Sequence, residues 1–132
     1  MSRENVEAVR AIYAEWGRGN FRTGSELYDE HVVLVLRPGF ADPGVYLGRE
    51  EIRAYMRGFL VGWAEAAIAG EEFLDAGDTV LVAVHQHATG SGSGAPVEMR
   101  YWQAWTFRGG AVIRIESIKE RSEALEAAGL RE

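Results

Sequence analysis

The sequence predicts an α+β domain in which helices lie against one face of an antiparallel sheet. Apolar residues recur at helical spacing near the N-terminus and again after residue 49. From residue 67 onward, by contrast, apolar runs are separated by glycine turns, which indicates successive hairpin strands. Helices segregated from hairpin strands are typical of the α+β class. A sheet of this kind that curves around its helices leaves a pocket between the two layers.

Length and composition fit a single domain spanning residues 1–132, with 47% hydrophobic residues to form its core. The 14 Lys and Arg against 20 Asp and Glu give a net charge of −6. This balance disfavours nucleic acid and membrane surfaces as partners, because both attract cations. The absence of cysteine excludes disulfides and thiolate chemistry. Since no apolar stretch suits a secretion signal or a membrane span, we expect a cytoplasmic protein.

The first helix is predicted to begin at Ser2, a capping residue, and to end at Gly17 or Gly19. A second, short helix is predicted over residues 21–30, although Gly24 weakens it. The apolar stripe of the first helix consists of Val6, Val9, Ile12, Tyr13 and Trp16.

A short apolar strand is predicted over residues 31–36, followed by a loop rich in proline and glycine over residues 37–48. The strongest helical periodicity of the chain then covers residues 49–66. The rest of the chain is predicted to form four hairpin strands and a closing helix, over residues 67–76, 79–88, 97–107, 111–119 and 122–129.

Several stretches resemble the nuclear transport factor 2-like superfamily, and within it the SnoaL-like branch. They include "YAEWGRGNF", "YLGREEIRAYMRGF", "LDAGDTVLV" and "YWQAWTFRGGAVIRIE", and the resemblance extends over nearly the whole chain. The superfamily includes ketosteroid isomerases and polyketide cyclases. The resemblance implies a cone-shaped curved antiparallel sheet around three helices, with a central pocket for a small hydrophobic molecule. It also implies a homodimer joined through the outer face of the sheet.

The catalytic positions of the superfamily match this chain only in part. Its isomerases place a proton-abstracting Asp at the end of the first strand, where this chain has Leu36 and Arg37. Their oxyanion hole uses a helix Tyr, close to the place of Tyr13, and an acid where this chain has Gln103. A glutamine donates a hydrogen bond without being the protonated acid of that role. The resemblance thus implies Tyr13 and Gln103 as polarising groups. Asp42 is the candidate base, because it is the carboxylate available in the predicted loop over the expected pocket mouth.

Strand alternation separates pocket side chains from outer ones once Gln103 is taken to face inward. Tyr101 and Trp105 then face inward too, although core packing is the stronger alternative for Trp105. The preceding strand contributes Gln86 to the same face. The predicted ligand-binding residues are Trp16, Tyr28, Phe59, Trp63, Gln86, Tyr101 and Trp105.

The stretch "VHQHATG" places His85 and His87 on the opposite, outer face. Two histidines at this spacing can bind one metal ion, and Glu98 could add a carboxylate, but no later histidine completes the set. We therefore predict neither metal nor cofactor. No further element looks long enough to cover the outer face, so we expect the histidines in or beside the dimer interface. The apolar residues expected on this face are Trp102, Ala104 and Val112 or Ile118.

Two functions fit these patterns. The first is an isomerase- or cyclase-like enzyme that moves a proton at carbon in a hydrophobic carbonyl compound. The second is a ligand-binding or dimeric accessory protein without chemistry, which the missing first-strand Asp leaves open. The glycine-rich residues 89–96 predict a hairpin loop, because a phosphate loop would lead into a helix and this one leads into a strand.

Overall fold

The computed structural model describes residues 2–131. No helix in this range is long and apolar enough to cross a membrane. In chain order the elements are α1 (Ser2–Trp16), a 3₁₀ turn (Ser25–Leu27), β1 (Tyr28–Leu36), β2 (Gly44–Leu47), α2 (Gly48–Val61), β3 (Trp63–Ala76), β4 (Thr79–Gly90), β5 (Pro96–Arg108), β6 (Ala111–Ile118) and α3 (Arg121–Ala127).

The strands form one six-stranded curved sheet in the order β2-β1-β6-β5-β4-β3. Strands β3 to β6 pair antiparallel through successive hairpins, and β2 pairs antiparallel with β1. The predicted α+β fold, with three helices and a curved, cone-like sheet, is confirmed. The sheet is mixed rather than fully antiparallel, because β1 pairs parallel with β6. No hairpin joins these two strands, so no tight turn fixes their relative direction.

The second predicted helix does not form. Only Ser25–Leu27 make a single 3₁₀ turn, and Tyr28 already begins β1. Gly24 precedes the turn with φ of 107°, a conformation that favours glycine, and a Cβ there would lie 3.1 Å from Ile12 Cδ1. The chain therefore turns tightly against α1 at this point, which leaves no room for a regular helix.

The helix predicted over residues 49–66 is also shorter in the structure. α2 ends at Val61, and Trp63 begins β3 by pairing with Gly90 of β4. The apolar spacing from Phe59 to Trp63 suits a helix. Beyond Gly62, however, the backbone pairs with β4 in the long β3–β4 hairpin. Tertiary pairing has overridden the local periodicity.

The main core lies between α1 and the inner face of the sheet. Val9, Ile12 and Tyr13 of α1 are buried against Trp105 and Phe107 of β5. Val112 also belongs to this inner core and not to the outer face, where it was one of two alternatives. The pairing of β5 with β6 shifts register between Thr106 and Phe107, and this irregularity turns Val112 from the outer to the inner face of the sheet.

The outer face of the sheet is partly covered by α3, contrary to the expectation that nothing in the chain covers it. Ala124 and Leu125 of α3 form a second apolar cluster with Leu81, Ala104 and Ile118 of the sheet. The helix is short, but it lies over the end of the sheet where the outer side chains are apolar. The structure thus buries intramolecularly a part of the surface that the sequence assigned to a dimer.

Candidate functional site

A cavity of about 1250 Å³ lies between α2 and the inner face of the sheet. It exists because α2 approaches the sheet loosely and buries only Ile52. A concave, mostly apolar space of this kind is characteristic of small-molecule sites. Its wall is rich in aromatic side chains: Trp16, Phe21, Tyr28, Phe40, Tyr55, Phe59, Trp63 and Tyr101.

The structure brings most of the predicted site residues into this wall. Asp42 and Gln103 are part of it, but Tyr13 and Trp105 are not. These two side chains are buried behind the wall, where Trp105 has no exposed surface. Core packing, the alternative left open for Trp105, is what the structure shows. The predicted ligand-binding residues in the wall are Trp16, Tyr28, Phe59, Trp63, Gln86 and Tyr101.

Buried hydrogen bonds fix the orientation of Gln103. The indole Nε1 of Trp105 donates to the Tyr13 hydroxyl over 2.9 Å. Tyr13 in turn donates its proton to Gln103 Oε1, and Gln103 Nε2 donates to Ser117 Oγ over 3.0 Å. Because an indole nitrogen only donates, the chain of bonds runs in one direction. The amide nitrogen of Gln103 therefore lies on the side of Ser117.

This arrangement changes the role expected of Tyr13. Its hydroxyl accepts from Trp105 and donates to Gln103, so it has no proton left for a ligand. Burial raises the pKa of Tyr13 well above its ordinary value, which keeps the hydroxyl neutral and able to donate. Tyr13 positions the amide of Gln103 rather than polarising a ligand itself.

Sequence reasoning missed Ser117. This residue is buried in the cavity wall and lies directly opposite Gln103 in the β5–β6 register. Strand alternation along "AVIRIESIK" would have assigned it to the face of Ile115, but the serine stands among charged and apolar residues and carries no catalytic pattern. Only the cross-strand pairing reveals its role.

A second polar pair lies on the same face of the sheet. The Tyr101 hydroxyl donates to Gln86 Oε1 over 2.8 Å, and both residues line the cavity. The ring of Tyr101 meets Phe40 edge to face, with 5.2 Å between the centroids. Burial raises the pKa of Tyr101, so it also stays a neutral donor. The sheet side of the cavity thus holds neutral polar groups within aromatic surroundings.

Asp42 is the only carboxylate in the described part of the wall. It is exposed, and its backbone carbonyl accepts a hydrogen bond of 2.8 Å from the Tyr46 hydroxyl. On α2, burial is the main cause that raises the pKa of Tyr55 to about 12, and the negative charge of Asp42 adds to it. Asp42 therefore lies at the solvent side of the cavity, close to α2.

His85 and His87 lie on the outer face, as strand alternation predicts. Their rings stack with 4.5 Å between centroids, and His85 bonds to Glu98, whose pKa it lowers. Glu71 lies 3.7 Å from His85 and pairs with Arg100. Within residues 2–131 no three or more His, Asp or Glu side chains are grouped so that they could hold a metal ion.

Three helices and a curved, mixed six-stranded sheet are the fold that this chain shares with solved nuclear transport factor 2-like proteins. Within that class, the chain belongs to the SnoaL-like domain family, whose model matches residues 9–115. A search of curated proteins finds no match.

Solved structures show the same fold. A nuclear transport factor 2-like protein of unknown function from Burkholderia pseudomallei is 21% identical, with a TM-score of 0.76 over 92% of this chain and 95% of its own. TerC, co-crystallised with polyporic acid, is 23% identical, with a TM-score of 0.74 over 95% of this chain and 98% of its own. A presumed SnoaL-like polyketide cyclase from Jannaschia is 18% identical, with a TM-score of 0.75 over 98% and 94% of the two chains.

Proposed function

We propose that the protein binds a small, largely apolar carbonyl compound in the cavity under α2. The observation that carries this proposal is the fixed amide of Gln103. Ser117 takes one of the two N–H groups of its nitrogen, and the other is the donor that we assign to the ligand carbonyl. A single well-held donor in an aromatic cavity orients a ligand that is otherwise recognised by its shape.

The enzymatic form of this proposal is proton transfer next to the bound carbonyl. The Asp42 carboxylate would take a proton from the carbon beside the carbonyl, the electron pair would move to the carbonyl oxygen, and the resulting enolate would be stabilised by Gln103. In a carbonyl compound with a carbon–carbon double bond beside that carbon, the enolate is a dienolate, and return of the proton to its far end would move the double bond and complete an isomerisation. Asp42 is the base of this scheme because the described wall offers no other carboxylate.

A second candidate function is binding without chemistry. The position of Asp42 favours it, since an exposed carboxylate at the mouth is not held against a buried ligand. Structures of this fold carry varied small molecules: TerC was crystallised with polyporic acid, and a ketosteroid isomerase-like protein from Catenulispora acidiphila is in complex with trimethylamine. Both candidate functions use the same cavity.

The carbonyl contact is tested with prodan, a solvatochromic aromatic ketone, and with phenylnaphthylamine, an aromatic dye that has no carbonyl. Replacing Gln103 by Met removes the donor with little change of length. We expect prodan to bind about fivefold more weakly, which is the effect of one lost neutral hydrogen bond, while phenylnaphthylamine binds as before. Gln86→Met is the matched control on the neighbouring strand. Equal losses in both variants, or no binding of prodan by the unaltered protein, would refute the assignment.

Proton transfer is tested by deuterium exchange at the carbons beside the carbonyl of β-tetralone, followed by NMR. The unaltered protein should accelerate exchange over buffer, and Asp42→Asn should lower the rate by about 100-fold, as expected for loss of a general base. Asp29→Asn, which changes a carboxylate outside this cavity, is the control. Exchange at the buffer rate would establish binding without this chemistry, and an unchanged rate in Asp42→Asn would exclude Asp42 as the base.

We also propose that two copies of the chain pair through the part of the outer face that α3 leaves open. This surface carries Glu71 and Glu98 beside His85 and Arg100, so both signs of charge are present. A two-fold axis would bring such a patch against itself with opposite charges facing each other. Sedimentation at micromolar concentration should show a dimer that Arg100→Glu weakens. A monomer under these conditions would contradict the proposal.

A further inference from the structure

The cavity wall contains more basic than acidic residues, whereas the chain as a whole contains more acidic than basic residues. The protein as a whole is acidic, with a net charge of −6. Among the described residues, its cavity wall nevertheless contains four arginines and a single carboxylate, Asp42. The four arginines are Arg22, which lies in the segment after α1, and Arg49, Arg53 and Arg57 of α2.

Helix α2 is sorted by charge in the same way. Its two acidic residues, Glu50 and Glu51, are not part of the wall, whereas all three of its arginines are. The two glutamates lie in the first turn of the helix, where acidic side chains are favourable, and Glu51 Oε1 accepts a hydrogen bond of 2.7 Å from the Leu47 backbone N–H. The arginines are therefore the charges that α2 contributes to the cavity wall.

The four arginines are not equally engaged within the protein. Arg49 donates from Nε and Nη2 to the backbone carbonyl of Tyr28, over 3.0 and 2.7 Å, and so holds α2 to β1. Arg53 forms a 2.6 Å ion pair with the exposed Glu50. Arg57 and Arg22 form no ion pair within residues 2–131. Arg53 and Arg57 are one helical turn apart on α2, so the two exposed side chains are neighbours where the helix borders the cavity.

We propose that the natural ligand is a hydrophobic organic acid whose anionic group is held at the mouth of the cavity by Arg53 and Arg57. Its apolar body lies inside, against the aromatic wall, and its charge stays near solvent, where only partial desolvation is needed. Guanidinium groups suit this role because they bind carboxylates and similar anions with two parallel N–H groups. The inference rests on the proposed function, since it names the class of compound that the same cavity takes.

The experiment compares two dyes with the same aromatic framework. Anilinonaphthalene sulfonate carries an anionic group, whereas phenylnaphthylamine is its neutral counterpart. Dissociation constants for both are measured by fluorescence titration with the unaltered protein, with Arg53→Gln/Arg57→Gln and with Arg3→Gln/Arg108→Gln. The last variant removes the same total charge from exposed positions outside the wall. Met99→Trp, which fills part of the cavity, shows whether each dye binds there.

We expect the Arg53→Gln/Arg57→Gln variant to bind the sulfonate about tenfold more weakly and the neutral dye unchanged, as for two partly exposed charge contacts. The control variant should change sulfonate binding by less than about twofold, because distant exposed charges are screened. Raising the salt concentration should weaken sulfonate binding to the unaltered protein more than to the Arg53→Gln/Arg57→Gln variant.

The outcomes separate this inference from the proposed function. Equal weakening of sulfonate binding by both double variants, or no effect of either, would overturn the inference while the neutral dye still reports a working cavity. Failure of both dyes to bind, or binding that Met99→Trp leaves unaffected, would instead overturn the use of the cavity itself and the inference with it.

Discussion

Helices α1 and α2 are nearly equal in length, with 15 and 14 residues, yet they serve the fold differently. α1 buries five residues against the sheet: Asn5, Val9, Ile12, Tyr13 and Trp16. α2 buries only Ile52, although its apolar stripe is as regular. The comparison teaches that an amphipathic pattern reports a face turned inward, but not whether that face meets packed side chains or an open cavity.

The aromatic contacts of the two helices show the difference. Tyr13 of α1 meets Trp16, Phe73 and Trp105 edge to face, with centroids 5.2 to 5.9 Å apart, and so joins helix to sheet. Tyr55 and Phe59 of α2 stack with centroids 6.5 Å apart, and Phe59 packs on Trp63 at the start of β3 with centroids 6.2 Å apart. These rings contact one another along the roof of the cavity. α1 therefore supplies stability, whereas α2 supplies a surface that lines the cavity.

The largest expected effect comes from removing the same three carbons from each helix. Ile12→Ala should lower the free energy of unfolding by about 3 kcal/mol, because Ile12 is fully packed and its removal leaves a void. Leu60→Ala should cost less than about 1 kcal/mol, because Leu60 already borders a cavity and is only partly buried. Chemical denaturation followed by Trp fluorescence measures both values. Equal losses would mean that α2 packs as tightly as α1.

The fold features that the sequence predicted are those that depend on local patterns of residues. The α+β class and the curved sheet follow from periodicity and hairpin turns, and the resemblance specified the cone. The end of α2 and the parallel pairing of β1 with β6 did not follow, because both depend on contacts between residues far apart in the chain. The coverage of the outer face by α3 escaped for the same reason, since a seven-residue helix gives no signal of where it packs.

The sequence predicted which side chains line the cavity wall, but not the hydrogen bonds that connect them to residues behind it. Strand alternation from Gln103 places Tyr101 and Gln86 in the cavity wall, as the structure shows. The bonds from Trp105 through Tyr13 to Gln103 link residues about 90 positions apart, so no local pattern could reveal that Tyr13 stands behind the wall. The arginines of α2 are visible in the sequence, but charged residues between apolar ones are typical of any helix with one solvated face.

An intermediate effect is expected from removing one hydroxyl behind the wall and one within it. Tyr13→Phe leaves Trp105 Nε1 and Gln103 Oε1 without their buried partner, which should cost about 2 kcal/mol of stability. Tyr101→Phe frees only Gln86, which is half-buried beside the cavity and can bond to water, so the cost should be below about 1 kcal/mol. Thermal and chemical denaturation measure both losses. A larger loss for Tyr101→Phe would reverse the assignment of structural and ligand-facing tyrosines.

The smallest effect is expected from alkaline pH, which distinguishes the same tyrosines without mutation. Burial raises the pKa of Tyr13, Tyr28 and Tyr101, whereas Tyr55 on α2 is raised only to about 12. A tyrosine whose pKa is higher in the folded than in the unfolded state contributes stability that is fully present below its unfolded value, near 10. This contribution is lost as the pH rises from that value through the folded one.

The free energy of unfolding should therefore be lower at pH 10 than at pH 8 by about 1.5 kcal/mol, the sum expected for these four tyrosines at the start of this range. Tyrosinate absorbance should show Tyr55 ionising while the protein is still folded, and Tyr13 ionising only as it unfolds. Tyr55→Phe identifies the first signal, because it removes that step and leaves the second. If Tyr13 instead ionised together with Tyr55 in the folded protein, water would reach the core between α1 and the sheet as readily as it reaches the cavity. The contrast between α1 and α2 would then be wrong.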